Sequence, residues 1–372
     1  MTGVQTCALP ICFPVTIAAI AAEQAPLLLV TTSTRRADEL SAELTQYLDE
    51  KSVANFPPWE TLPHERLSPK SDTITARFKS LNLIGSAENK IVVTSIRALL
   101  QPIIKNDLTI TKIKMDTGLD YELGKLVSDL TKFGFNRVDL VERRGDFAVR
   151  GGIIDIFPAD QEHPIRVDFY GDQIEEIAYF SISDQRSIAK VENIVICPCR
   201  ELIIDEGIRE KAKQLGERFS QLSDLTEKVA EGIYFDGVES LAAGLIENFS
   251  NLLDYLPKNS QVWFIDQPRI ISRSADLIET NQEFLEAAWT NLAWSEQQSL
   301  PIPVDLTNQL ARGGFPTFAQ IIESCQKLGL STRSLNLYAA NADETKLEFL
   351  ESIESFSISD QRSIAKIDRV VI

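Results

Sequence analysis

Apolar positions along this chain fall into distinct textures. In the first, continuous apolar runs alternate with segments of helical spacing. Leu27–Val30 is one such run; Ser33 follows as a helix N-cap, and Leu40, Leu44 and Leu48 recur at i, i+4 and i+8. "VANF" leads through the proline-rich "FPPWETLP" into a helix predicted to be capped near Ser71 or Asp72, and Ile91–Thr94 is a third strand running into a helix. Strands without polar alternation are buried on both faces, so these βα units predict a mostly parallel α/β layer up to about residue 115.

From about residue 116 one helical stretch, "YELGKLVSDLTKFG", gives way to short alternating runs: "RVDLVE", "DFAVR", "IIDIF", "IRVDFY" and "QIEEIAYF". Turn chemistry separates them ("RRG", "RGG", "PADQEHP", "GD"), which predicts a small α+β domain with an antiparallel sheet over 116–200. Helical patterns return after Arg200, followed by a strand in "SQVWFID" and more helices. The expected organisation is an α/β domain over 13–115, completed by 201–355 and interrupted by the small domain.

Both ends stand apart from this plan. "MTGVQTCALPIC" has neither the basic start nor the apolar core of a secretory signal. Thr2–Ile11 back-translates to a common sequencing adapter, so 1–12 is expected to be a non-native segment, a short apolar strand being the other reading. "FSISDQRSIAK" occurs at Phe180–Lys190 and again at Phe356–Lys366, each copy followed by a similar strand. Nothing else recurs at that interval, so a solenoid is excluded. The 356–372 tail is read as a duplicated or misjoined stretch with no slot of its own in the sheet.

Composition narrows the chemistry. There is no run of 18 apolar residues, and the expected location is cytoplasmic. With 54 acids against 37 bases, the net charge of −17 disfavours strong autonomous DNA binding. Two histidines, His64 and His163, and a "CPC" at 197–199 do not make a zinc-site spacing, so Cys197 and Cys199 are read as buried structural thiols and no metal is expected. "GLDYELGKL" at 118–126 has the wrong spacing for a phosphate-binding Walker A loop, and Leu119, Leu123 and Leu126 read as helix core positions. Neither a catalytic triad nor a cofactor site is supported by the sequence; catalytic, cofactor and metal residues are all expected to be none.

Two long stretches are more specific. "FPPWETLPHERLSPKSDTITARFKSL" (56–81) and "RRGDFAVRGGIIDIFPADQEHPIRVDFYGDQIEEIAYFSISDQRS" (143–187) together resemble the N-terminal module of the bacterial transcription-repair coupling factors, over roughly 13–355. The excision-repair protein UvrB shares the second stretch in outline and differs at the first. This resemblance implies a degenerate, catalytically silent RecA-like parallel-sheet domain interrupted by a small domain that binds UvrA. It further implies that ATP, magnesium, DNA and RNA polymerase are handled by downstream domains whose motifs this sequence lacks.

Strand alternation gives the candidate surface. In "PIRVDFYGD", Arg166, Asp168 and Tyr170 share one face and Val167 and Phe169 the other, while Phe147 and Val149 turn Arg150 outward. The resemblance implies that Arg150, Arg166 and Tyr170, with Asp168 on the same face, contact UvrA; pattern alone favours ordinary surface charge on an antiparallel sheet. Both arginines are expected to face solvent. Trp59 reads as filling a packing gap, and Arg77 as pairing with a neighbouring acid. The alternative function is the front end of a UvrB-like damage-verification ATPase.

Overall fold

A computed structural model describes residues 5–7, 26–62, 67–85, 90–104, 112–247, 249–293, 314–336, 357–358 and 363–364. In chain order the first part holds β1 (Gln5–Cys7), β2 (Leu27–Thr31), α1 (Thr34–Leu44), β3 (Val53–Phe56), α2 (Ser71–Gly85), β4 (Ile91–Ser95), α3 (Ile96–Leu100) and β5 (Ile103–Ile104). The small domain holds β6 (Ile113–Asp116), α4 (Leu123–Lys132), β7 (Asn136–Arg137), β8 (Asp146–Arg150), β9 (Ile153–Ile156), β10 (Ile165–Tyr170), β11 (Gln173–Phe180), β12 (Ser187–Val191) and β13 (Asn193–Ile196). After it come α5 (Glu206–Arg218), α6 (Ser223–Glu231), α7 (Ala242–Leu245), β14 (Phe249–Ser250), β15 (Gln261–Ile265), α8 (Gln267–Ala293), α9 (Phe318–Lys327), β16 (Ser331–Asn336), β17 (Ser357–Ile358) and β18 (Ser363–Ile364).

The first sheet runs β1-β16-β15-β2-β4-β3 with every pairing parallel. Its apolar strands are covered on both sides, as continuous runs require. Leu28, Val30, Phe56, Val92 and Phe264 join one core with Ile96, Ile270 and Ile321, while Leu27, Leu29, Val93 and Trp263 join the other with Ala37, Leu40 and Leu44 of α1. Ser33 caps α1, its hydroxyl accepting from the Arg36 amide at 3.2 Å. Because β15 pairs with β2 in the middle of the sheet, the layer closes only after the chain has left it and returned, which makes the small domain an insertion. Helices α5 and α6 do not cover the sheet. They form a separate core with Trp59 and with Ile74 and Phe78 of α2.

The second sheet runs β12-β11-β10-β9-β8-β7, antiparallel except for the short β7–β8 pair. One of its faces is buried: Phe147, Ile154, Ile156, Ile165, Val167 and Ile177 pack on Leu126 and Leu130 of α4 and on the β6–β13 pair. The small domain therefore begins at Ile113, a strand earlier than the pattern suggested, with Ile113 and Met115 in its core. Leu119 is corrected too. It is 57% exposed, because Gly118 at φ +86° breaks the chain before the helix starts at Leu123.

At the ends, Gln5–Cys7 runs parallel to Ser334–Asn336 at the sheet's outer edge, and the rest of 1–12 lies outside the described residues. β12, the first copy of the repeated stretch, occupies the position beside β11. The described parts of the second copy, β17 and β18, pair with each other and join neither large sheet. Among the described residues no helix is long and apolar enough to cross a membrane.

Candidate functional site

Two tight hairpins shape the exposed end of the sheet's second face, which is covered farther along, where Ala148 packs with Val141 and Phe157. Gly151 (φ +62°) and Gly171 (φ +64°) each take the first central position of a two-residue turn, a conformation that costs glycine little. Gly152 adds a close approach: a Cβ there would lie 2.9 Å from the Phe169 carbonyl oxygen. These turns fix the register, setting Arg150 opposite Ile153, Ile153 opposite Asp168, and Asp168 opposite Glu176. In the adjoining row Asp155 faces Arg166. The four sequence-predicted residues thus share one face, and Arg150, Asp168 and Tyr170 gather at its hairpin end.

Their surroundings differ. Tyr170 is 80% exposed. Arg150 is exposed and its Nη2 donates to the Asp139 carbonyl at 2.7 Å. Asp168 is half-buried, with Oδ1 enclosed and without a hydrogen-bond partner; burial first, and then the Glu176 carboxylate opposite, push its pKa above the usual carboxylate value. Glu176 itself is joined to Lys190 across β11 and β12.

Arg166 corrects the expectation of a solvent-facing side chain. Its side chain is only 22% exposed; Nε and Nη2 donate to the two oxygens of Asp155 at 2.7 and 2.9 Å, and Nη1 donates to the Gln185 carbonyl at 3.2 Å. The guanidinium also lies 4.6 Å from the Phe180 ring centroid. Alternation named the face correctly, but the cross-strand carboxylate and the 181–186 turn draw this arginine inward. Its first task is to hold β9, β10 and that turn together.

Ile153 was missed. It is 37% exposed between Arg150 and Asp168, and the alternation of "IIDI", which puts it on the face of Asp155, was the available signal. An exposed aliphatic and an exposed tyrosine near an arginine are residue types suited to a protein interface.

Trp59 fills a buried position, as read from the sequence, and its Nε1 donates to Glu201 Oε1 at 3.0 Å. Arg77 is corrected: it is buried, pairs with Glu201 from the far side of the insertion, donates to the Pro57 carbonyl at 3.0 Å and stacks 4.3 Å from the Phe56 ring centroid. This network ties "FPPWETLP" to the segment leaving the small domain. Cys197 and Cys199 are free and buried; burial pushes the Cys197 thiol up to about 11 and raises that of Cys199 as well. Among the described residues no group of histidine, cysteine and carboxylate side chains is placed to hold a metal, and His64 lies outside them.

Comparison with known proteins bears on the domain that carries this surface. Residues 113–202, which contain the whole antiparallel sheet, match the family model of the UvrB interaction domain. The chain is 40% identical over 333 residues to the transcription-repair-coupling factor of Mycobacterium tuberculosis, covering 84% of this chain and 27% of that protein. Those of Bacillus subtilis and Escherichia coli are each 28% identical, over 70% and 63% of this chain and 24% and 21% of their own length. The chain thus spans about a quarter of the length of the curated relatives it matches. Residues 113–202 are thus similar to a UvrB interaction domain, and the chain is similar to the N-terminal part of the transcription-repair-coupling factors.

Proposed function

We propose that this chain recruits UvrA through the exposed hairpin end of its antiparallel sheet and so serves transcription-coupled nucleotide excision repair. The observation that carries the reading is the exposure of Arg150 and Tyr170 on one face at the hairpin end of the domain that matches the UvrB interaction domain model. Ile153 supplies an exposed apolar residue between Arg150 and Asp168, and Arg166 and Asp155 fix the strands beside it.

The role is one of interaction without catalysis by this stretch of chain. No Walker A loop occurs in the 372 residues, and "GLDYELGKL" forms a turn and the start of α4. By resemblance, ATP-driven movement on DNA and contact with RNA polymerase belong to other parts of the longer relatives. The alternative, a UvrB-like ATPase, is disfavoured by "FPPWETLP", whose Trp59 is committed to packing and to Glu201.

Calorimetric titration with UvrA tests the reading. Tyr170→Ala and Arg150→Ala are each expected to weaken binding by about 1–3 kcal/mol with unchanged melting curves. Absence of binding by the unmodified chain overturns the proposal, and ATP turnover belonging to this chain restores the enzyme reading.

A further inference from the structure

Beside the exposed hairpin end, the sheet's β8 edge is incomplete. β7 pairs with β8 only through Asn136–Asp146 and Arg137–Phe147, with one more bond from the Val138 amide to the Phe147 carbonyl at 2.9 Å. Beyond it the strands part, bridged by Arg150 Nη2 on the Asp139 carbonyl. The gap is a cleft of about 590 Å³ lined by Arg137, Val138, Asp139, Val149 and Arg150.

Its charge suits an anion. The chain carries a net charge of −17, and Arg144, Arg166 and Arg200 are each engaged by a carboxylate, from Asp72, Asp155 and Glu239. Arg137 and Arg150 are exposed, and neither has a carboxylate partner among the described residues. Two arginines against one aspartate, Asp139, line the cleft beside half-buried valines, a composition suited to a planar anion, which a forked donor geometry and reduced solvent would bind more strongly. Phosphate on a nucleic-acid strand fits less well, because the surrounding face presents Asp139, Asp168 and Glu176 to a continuous anionic backbone.

We infer that this cleft extends the UvrA-binding surface around the β8 edge and seats a carboxylate side chain of UvrA between Arg137 and Arg150. The inference rests on the UvrA reading above and adds Arg137, which strand alternation did not single out. It makes Arg137 a binding residue on a different element from the hairpin end.

The test is titration of UvrA into the full chain and its Arg137→Glu, Arg137→Lys and Tyr170→Ala variants, with melting curves and a parallel titration of duplex DNA. Arg137→Glu is expected to weaken UvrA binding by about tenfold or more, Arg137→Lys by less, with unchanged melting curves. If Arg137→Glu binds UvrA as the unmodified chain does while Tyr170→Ala loses affinity, the cleft is not part of the interface and the inference fails, though the UvrA reading stands. If Arg137→Glu loses only DNA affinity, the cleft is a nucleic-acid site and the inference fails. If the unmodified chain does not bind UvrA, both fall.

Discussion

Arg166 and Asp155 face each other across β10 and β9 and are joined by two parallel hydrogen bonds, at 2.7 and 2.9 Å, over a carboxylate side chain only 3% exposed. Removing one member leaves the other enclosed and unpaired. Arg166→Ala is therefore expected to destabilise the fold by about 2–4 kcal/mol, against the sequence-based expectation of an untouched fold. Urea unfolding checks it; a cost below about 0.5 kcal/mol contradicts the structural role. Lost UvrA binding in this variant would report on folding first.

Much of the fold is legible in local pattern. Leu27–Val30 reads as a doubly covered strand because it is one, and Ser33 caps the following helix because its hydroxyl meets an amide three residues on. The glycine hairpins and the shared face of Arg150, Asp168 and Tyr170 follow from turn chemistry and the period of two. What escapes is set by contacts distant in sequence. Neither the place of β15 beside β2 nor the pairing of Arg77 with Glu201 is encoded by neighbours in the chain. Arg166 was misjudged for the same reason, since alternation gives a side chain's face but not its partner on the next strand.

Glu201 holds both Trp59 Nε1 and Arg77 in a buried site. Glu201→Gln keeps the shape and removes the charge, leaving the Arg77 guanidinium buried without its counter-ion. A cost of about 3–5 kcal/mol is expected, as for breaking a buried ion pair, and Trp59→Phe should cost about 1 kcal/mol for its lost hydrogen bond. Thermal unfolding of both variants checks the order; equal small effects contradict it.

Asp168 gives a pH signature. Its pKa lies above the usual 3.8 in the folded state, chiefly through burial and then Glu176, so the folded state binds this proton more tightly than the unfolded one. Stability from this group is present below the unfolded value and is lost as pH rises through the folded value. Asp168→Asn removes the charge and is expected to raise the melting temperature at pH 7, by less than about 1 kcal/mol in stability after solvent screening. The advantage should vanish below about pH 4; a variant less stable than the parent at pH 7 contradicts the assignment.

The repeated stretch makes a prediction about stability. The first copy already pairs with β11, and the described residues of the second pair only with each other. Deleting 356–372 is expected to leave the melting temperature within about 1 °C. A fall of several degrees would show that the second copy contributes to the core fold.

Hydrogen–deuterium exchange of the full chain, with and without saturating UvrA, tests the central claim most directly. Protection is predicted at the two hairpins, around Arg150–Ile153 and Asp168–Gln173, with little change in the parallel sheet. Protection confined to the parallel-sheet domain, with both hairpins exchanging as in the free chain, would contradict it.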